Sequence, residues 1–427
     1  MSLTKNGYRK RIIDEQLKKY LSAFGAVCIE GPKWCGKTWT ALNHSDSVFY
    51  VASPENNFQN RMLAQLSPEL VLQGATPRLL DEWQEVPALW DAVRFAVDQS
   101  QNRGQFILTG SATPSQKGIL HSGTGRIARL QMRPMSLFES NDSSGSISLQ
   151  DLFSVPLIPS QAYEVTLVEL IKLTVRGGWP DSLGLDDNIA SEVPKVYLKN
   201  VIEDDIRRID GKNRDTRKMT LLLRSLARNE STVVSNRTLQ RDMLENDELT
   251  IHAETLSEYL NILSRLFIIE DQRAFNPNLR SSIRVGKSAK RHFIDPSLAA
   301  AALGATTERL LNDLNTYGFL FEAMCIRDLK IYAESFGAQL FHYRDDSGRE
   351  IDAVVELPDG RWAALEIKLG ANQIDEAAQE LLEIRKMMDE DPKAKAPDVL
   401  GVICGLSKFG YTREDGVLVI PITALRP

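Results

Sequence analysis

The stretch Gly31-Pro-Lys-Trp-Cys-Gly-Lys-Thr38 constrains this chain more than any other. Its members Gly31, Pro32, Lys33, Trp34, Cys35, Gly36, Lys37 and Thr38 fit the pattern G-x-x-x-x-G-K-[ST]. The flanks agree with it. Ala26-Val-Cys-Ile-Glu30 is a short apolar run of strand type, and Lys37 to Ala41 carries no helix breaker. A strand, a Gly-rich turn and a helix start make an anion cradle. Gly31 and Gly36 let backbone N–H groups turn inward without a Cβ clash. Those groups and the positive helix end hold phosphate oxygens. Lys37 adds a point charge, and Thr38 offers a hydroxyl to Mg²⁺.

At 427 residues the chain exceeds a single core, and two to four domains are expected. A net charge of −6 gives no bulk attraction for nucleic acid, so any such contact needs local basic patches. No apolar run is long enough to span a bilayer, and no leader is evident. The four cysteines, Cys28, Cys35, Cys325 and Cys404, lack metal-ligand spacing. The expectation is a cytoplasmic protein without disulfides or a membrane partner.

Downstream, Val48-Phe-Tyr-Val51 reads as a second strand. Arg78-Leu-Leu-Asp-Glu82 is an apolar run ending in two acids, about forty residues beyond Lys37. At such a strand end Asp81 is placed to hold Mg²⁺ and Glu82 to polarise an attacking water. Gln105 to Ser111 is the next strand. Its polar end, Thr109 and Ser111, either senses a γ-phosphate or simply forms a Thr-Gly-Ser turn. Three arginines follow: Arg126, Arg129 and Arg133. Arg126, in a Gly-rich flank, is the first candidate for neutralising transition-state charge, in its own chain or across an oligomer; each is equally an ordinary surface arginine.

The ordered set Gly31–Thr38, Leu79–Gln84, Leu108–Ser111, Gly125-Arg126 and Arg133-Pro134 resembles prokaryotic AAA+-type ATPases. The resemblance is to the branch that continues into a C-terminal PD-(D/E)XK nuclease-like region, and it covers about residues 20 to 425. It implies an α/β fold with a P-loop parallel-sheet core over 1–140, and a linker and helical lid over 141–212. It also implies ATP as the nucleotide.

Residues 213–304 carry another pattern. Helices are expected at Met219–Asn229, Thr238–Leu244 and Ala253–Arg265, then strands at Phe267–Glu270 and Lys290–Ile294. Three helices and a hairpin make a winged helix. Its basic residues Arg280, Arg284, Lys287, Lys290 and Arg291 either contact DNA phosphates or are solvated charges on a protein-binding surface. A further basic cluster runs from Arg207 to Lys218.

Residues 305–427 hold the second candidate site. Arg349 to Glu356 and Arg361 to Lys368 have strand composition around a Leu-Pro-Asp-Gly turn. A hairpin symmetric about Asp359 sets Asp352 opposite Glu366, each seven residues away. Lys368, two residues on, points the same way. Two acids and an ammonium then converge, as a second divalent metal and a phosphodiester would require, with Glu322 as a third acid. A one-residue slip would break this arrangement, and exposed salt bridges give the same spacing. The resemblance carries the nuclease motif over as Glu322, Asp352, Glu366 and Lys368, in a restriction-endonuclease-like α/β domain. The expected whole is an ATP- and Mg²⁺-dependent ATPase coupled to nucleic acid. The alternative is a nucleotide-dependent switch, or an ATPase acting on a protein partner, with a C-terminal domain that only binds.

Overall fold

The computed structural model describes all residues except 1–2, 5, 114–118, 210, 247–250, 279, 282–283, 285–287, 346 and 393. The chain divides into two compact units. The first comprises residues 1–134 with 204–213 and 261–268; the second comprises 135–203, 214–260 and 269–427.

In the first unit, α1 (Ile13–Ala23) leads into β1 (Ala26–Glu30) and α2 (Lys37–Asn43). Then come β2 (Ser47–Tyr50), α3 (Glu55–Leu66), β3 (Arg78–Asp81), α4 (Ala88–Ser100), β4 (Phe106–Gly110) and β5 (Ile127–Gln131). The five strands form one sheet in the order β2-β3-β4-β1-β5, and every pair is parallel. Strand residues alternate between its faces. Ala26, Cys28, Leu80, Phe106 and Leu108 pack with Trp83, Trp90 and Val93 on one side. Val27, Ile29, Leu79, Ile107 and Leu130 pack with Leu17, Ala41 and Leu42 on the other. Both faces are covered, which is why these strands read as continuous apolar runs. All four cysteines are free and buried.

The second unit contains α5 (Leu167–Arg176), α6 (Glu192–Asn200), α7 (Thr216–Arg228), α8 (Asn236–Asn246) and α9 (Ala253–Arg265), the last contributing its end to the first unit. Strands β6 (Ile269–Gln272) and β7 (Lys290–Phe293) pair antiparallel. After α10 (Pro296–Leu303) and α11 (Leu314–Ser335) come β8 (Gln339–Arg344), β9 (Glu350–Glu356) and β10 (Trp362–Lys368). Helix α12 (Ile374–Glu390), β11 (Val399–Cys404), β12 (Phe409–Thr412) and β13 (Leu418–Pro421) complete it. The sheet order is β8-β9-β10-β11-β13-β12, with Ser160–Gln161 added at the far edge. Gly360 closes the β9–β10 turn at φ 81°, a conformation that suits glycine.

The helices foreseen over 213–304, and the strand pair after them, all form. The segment 141–212, expected as linker and lid, is divided: 141–203 belong to the second unit and 204–212 to the first. Helix α5 opens with a capping box between Thr166 and Glu169. Its buried face, Leu170, Ile171, Thr174 and Val175, lies within the second unit, where α5 packs on α10 and α11. The leading segment of the first unit ends at Pro134. Met135 already donates its N–H to the Gly178 carbonyl at 2.6 Å, inside the second unit.

Candidate functional site

The turn after β1 puts Gly36 at φ 101°, the left-handed cap from which α2 starts. The Lys37 ammonium is buried and donates to two carbonyls of its own loop, Gly31 at 3.0 Å and Pro32 at 2.7 Å. Lys33 reaches Asp205 in an ion pair. From beneath, the buried guanidinium of Arg11 donates to the Cys35 carbonyl at 2.7 Å and the Arg133 carbonyl at 2.8 Å. Arg11 thus ties the loop to the chain leaving β5. Nothing in the sequence pattern marked it, because a single arginine before a helix looks like any surface arginine.

Strands β1, β3 and β4 are parallel neighbours, so their C-terminal ends meet beside this loop. Thr38 donates its hydroxyl to Asp81 Oδ1 at 2.8 Å, and Thr109 donates to the same oxygen at 2.7 Å. Burial raises the Asp81 carboxyl above its usual range, against the lowering effect of those two hydroxyls. The next residue, Glu82, sits at φ 58°, a left-handed conformation uncommon for a side-chain-bearing residue. Its N–H donates to Thr109 Oγ1 at 3.1 Å. Its carboxylate accepts from Ser111 Oγ at 3.0 Å and from the Gln84 amide. Thr109 and Ser111, foreseen as phosphate sensors, therefore hold the two acids. The sequence missed Gln84, although an amide two residues from the second acid lies within easy reach of it.

A hydroxyl and a carboxylate oxygen 2.8 Å apart at the loop are hard donors of the kind Mg²⁺ takes, and Mg²⁺ keeps water and phosphate oxygens for its other positions. Thr38 and Asp81 thus fit the ion. Among the described residues neither Lys37 nor Asp81 belongs to an ion pair.

Of the two alternatives for Arg126, action within its own chain conflicts with the strand register. Ile127 pairs with Ala26, at the start of both strands, so Arg126 lies at the sheet end opposite the loop. The five residues of β5 separate the two ends by about 16 Å, beyond an arginine's reach. Arg126 instead donates to Asp98 at 2.7 Å. Any phosphate-sensing role for it is one in trans. Arg129 pairs with Glu30 and lies over the Trp90 ring at 4.6 Å. Arg133 stands at the correct sheet end but is buried.

In the second unit the hairpin has the foreseen register. Ala353 faces Leu365 and Glu356 faces Trp362, which continues to Asp352 opposite Glu366. Asp352 Oδ2 accepts the Ile367 N–H at 2.9 Å. Lys368 donates to Glu366 Oε2 at 2.7 Å. Glu322 joins from α11, as expected. One group was not foreseen: the Lys290 ammonium, 2.8 Å from Glu322 Oε1 and 3.7 Å from Asp352 Oδ1. Burial, then the charge of Asp352, pushes Glu322 up to about 8. Burial and Asp352 likewise raise Glu366 well above the carboxylate range. Burial works against the charge of Lys290, yet Glu322 and Asp352 outweigh it and hold the ammonium.

The basic wing is correspondingly reduced. Arg284 makes a two-pronged pair with Glu356 at 2.8 and 3.0 Å and covers the Phe275 ring. Arg291 meets Asp271 at 3.3 Å. Lys290 is turned inward, and Lys287 lies outside the described residues. In the other basic cluster, Arg214 pairs with Glu258 at 2.7 Å. Among the described residues, no group of three or more His, Cys, Asp or Glu is arranged to hold a metal, and no helix is long and apolar enough to cross a membrane.

Three family models match the chain in succession. Residues 23–141 match the AAA domain family. Residues 168–309 and 317–425 match two domains of unknown function, DUF8612 and DUF4143. An uncharacterised protein of Mycobacterium tuberculosis is 23% identical over 357 residues, spanning 83% of this chain and 72% of that one. Among solved structures, a Walker-type ATPase of Pyrococcus abyssi is 14% identical with a TM-score of 0.36, over 70% of this chain and 97% of that one. The replication initiator DnaA bound to AMPPCP and single-stranded DNA is 13% identical with a TM-score of 0.28, over 59% and 86%. Such TM-scores are too low to bear on function. The AAA domain match, added to the loop, supports a nucleotide-binding P-loop ATPase.

Proposed function

We propose that this protein hydrolyses ATP with Mg²⁺ at Gly31–Thr38, Asp81 and Glu82. The observation that carries the reading is the pairing of acids at the strand end. Asp81 shares the Thr38 hydroxyl at 2.8 Å, and Glu82 is aimed by Ser111 and Gln84. In this reading the loop N–H groups and Lys37 take the β- and γ-phosphates. Lys37 exchanges two carbonyl oxygens for phosphate oxygens. Thr38 and Asp81 hold Mg²⁺, which neutralises phosphate charge when bound. Glu82 orients a water and accepts its proton as the water oxygen bonds to the γ-phosphorus. The bond from that phosphorus to the β–γ bridging oxygen breaks, and ADP leaves with the electron pair.

The second unit is, in this proposal, a binding unit whose state the nucleotide sets. A nuclease is the weaker reading, because Asp352 and Glu322 already have a lysine between them. Nucleic acid is likewise secondary, since Arg284, Lys290 and Arg291 all have acidic partners.

Phosphate release tests the reaction. Wild-type protein should release phosphate from ATP only with Mg²⁺. Glu82→Gln should bind ATP normally and turn over about 100-fold more slowly, the usual worth of a positioned base. Unchanged turnover in Glu82→Gln would remove Glu82 from the mechanism.

A further inference from the structure

The acid cluster of the second unit lies between the two segments of unknown function. Glu322, Asp352, Glu366 and Lys368 belong to the stretch 317–425, and Lys290 to 168–309. We infer that Lys290 takes the place of a divalent cation there, so that Glu322, Asp352 and Glu366 form a lysine-bridged structural cluster and not a metal centre.

Three observations carry this. The first is position. The ammonium lies 2.8 Å from one acid and 3.7 Å from a second, where a cation shared by the two carboxylates would sit. Its side chain is only 4% exposed, so water does not compensate its charge and the acids must.

The second is that Lys290 is fixed from behind. In the strand pair, Lys290 faces Gln272. The Gln272 amide donates to the Asp352 carbonyl at 2.9 Å and the Phe341 carbonyl at 2.8 Å, so it bolts this strand pair to the hairpin that carries the acid. Gln272 Oε1 also meets His292 Nε2 at 3.0 Å, and His292 Nδ1 meets the buried Glu230 at 3.0 Å. These bonds fix the strand that carries Lys290 against the hairpin, so the ammonium is delivered to the acids from a rigid support.

The third is that other acid oxygens are already committed. Asp352 Oδ2 accepts the Ile367 N–H at 2.9 Å, and Glu366 Oε2 accepts from Lys368 at 2.7 Å. A divalent ion would share these acids with their donors and lie beside two ammonium groups.

Mn²⁺ binding by the nucleotide-free full chain tests the inference, followed by the electron paramagnetic resonance signal of the free ion. Comparison of each protein with its Asp352→Asn counterpart isolates this cluster from the phosphate loop. Wild type and Asp352→Asn should bind Mn²⁺ alike. Lys290→Met should gain a site at least about tenfold tighter than any in wild type, and Lys290→Met with Asp352→Asn should lose it. Wild-type binding that Asp352→Asn removes would overturn the inference, even if Lys290→Met fails to fold. So would a folded Lys290→Met, by thermal melt, that gains no site.

Discussion

Each unit of this chain has a cluster of acids beside lysine, and the two are in opposite states. In the first unit, Lys37 rests on backbone carbonyls and Asp81 on two hydroxyls. Among the described residues neither belongs to an ion pair, and the Lys37 charge acts on Asp81 only from a distance. In the second, Glu322 and Asp352 share Lys290, and Glu366 holds Lys368. A buried charge is costly until it is paired. The first site has left that pairing to a ligand, whereas the second has completed it within the fold. The same residue types therefore mark a binding site in one place and an internal cross-link in the other. What separates them is where the positive charge comes from.

The largest expected effect falls on the first site. Lys37→Ala should weaken ATP binding about 100-fold or more, since a charged contact to phosphate oxygens is lost from a buried position. Calorimetry with ATP and Mg²⁺ reads this directly. Because Lys37 makes no ion pair, the apo protein should melt close to wild type. Unchanged ATP affinity would end the distinction drawn between the two clusters.

The next effect reverses the order of the units. Removing one partner of a buried ion pair leaves the other uncompensated, at a cost of about 3–5 kcal/mol. Asp352→Ala should therefore destabilise the second unit by roughly 3 kcal/mol without nucleotide or metal present. Asp81→Ala removes only bonds from hydroxyls, and should change apo stability by about 1 kcal/mol or less. Denaturant unfolding of both variants compares them. If Asp352→Ala costs no more than Asp81→Ala, the second cluster is not the cross-link described.

Much of this was legible in the chain, for identifiable reasons. The phosphate loop is local: eight consecutive residues fix its chemistry, and the flanking strand and helix need only short-range pattern. The hairpin register could be read because side chains alternate with period 2 about a Pro-Asp-Gly turn. Asp352 and Glu366 face each other as that symmetry requires. Lys290 could not be read this way. It reaches the acids from a strand 62 residues before Asp352, and in sequence it resembled a solvated basic wing. The one cue was alternation: Lys290 and His292 share a strand face, and both are buried. Arg126 could not be placed for a related reason. Its Gly-rich flank carried no information about which end of the parallel sheet it occupies; only the pairing of Ala26 with Ile127 does. The lid over 141–212 came from the resemblance alone, because an amphipathic pattern says that helices pack, not on what.

The smallest expected effect concerns protons. A cluster that completes its own charge balance should report pH through its stability, with no ligand present. Glu322 is the group to follow, because burial and the neighbouring Asp352 raise it from the ordinary 4.5 to about 8. The folded state then keeps a proton that the unfolded chain releases. The stability contributed by that proton is complete below pH 4.5 and is lost as pH rises through about 8. Between pH 6 and 8 the second unit should lose on the order of 1–2 kcal/mol from this group. Glu322→Gln keeps an oxygen for Lys290 but cannot titrate, so its melting temperature should fall less than that of wild type over the same range. Parallel curves for the two proteins would mean that Glu322 stays ionised beside Lys290. Glu322 would then add its negative charge beside Lys290, while burial keeps the proton on Glu366.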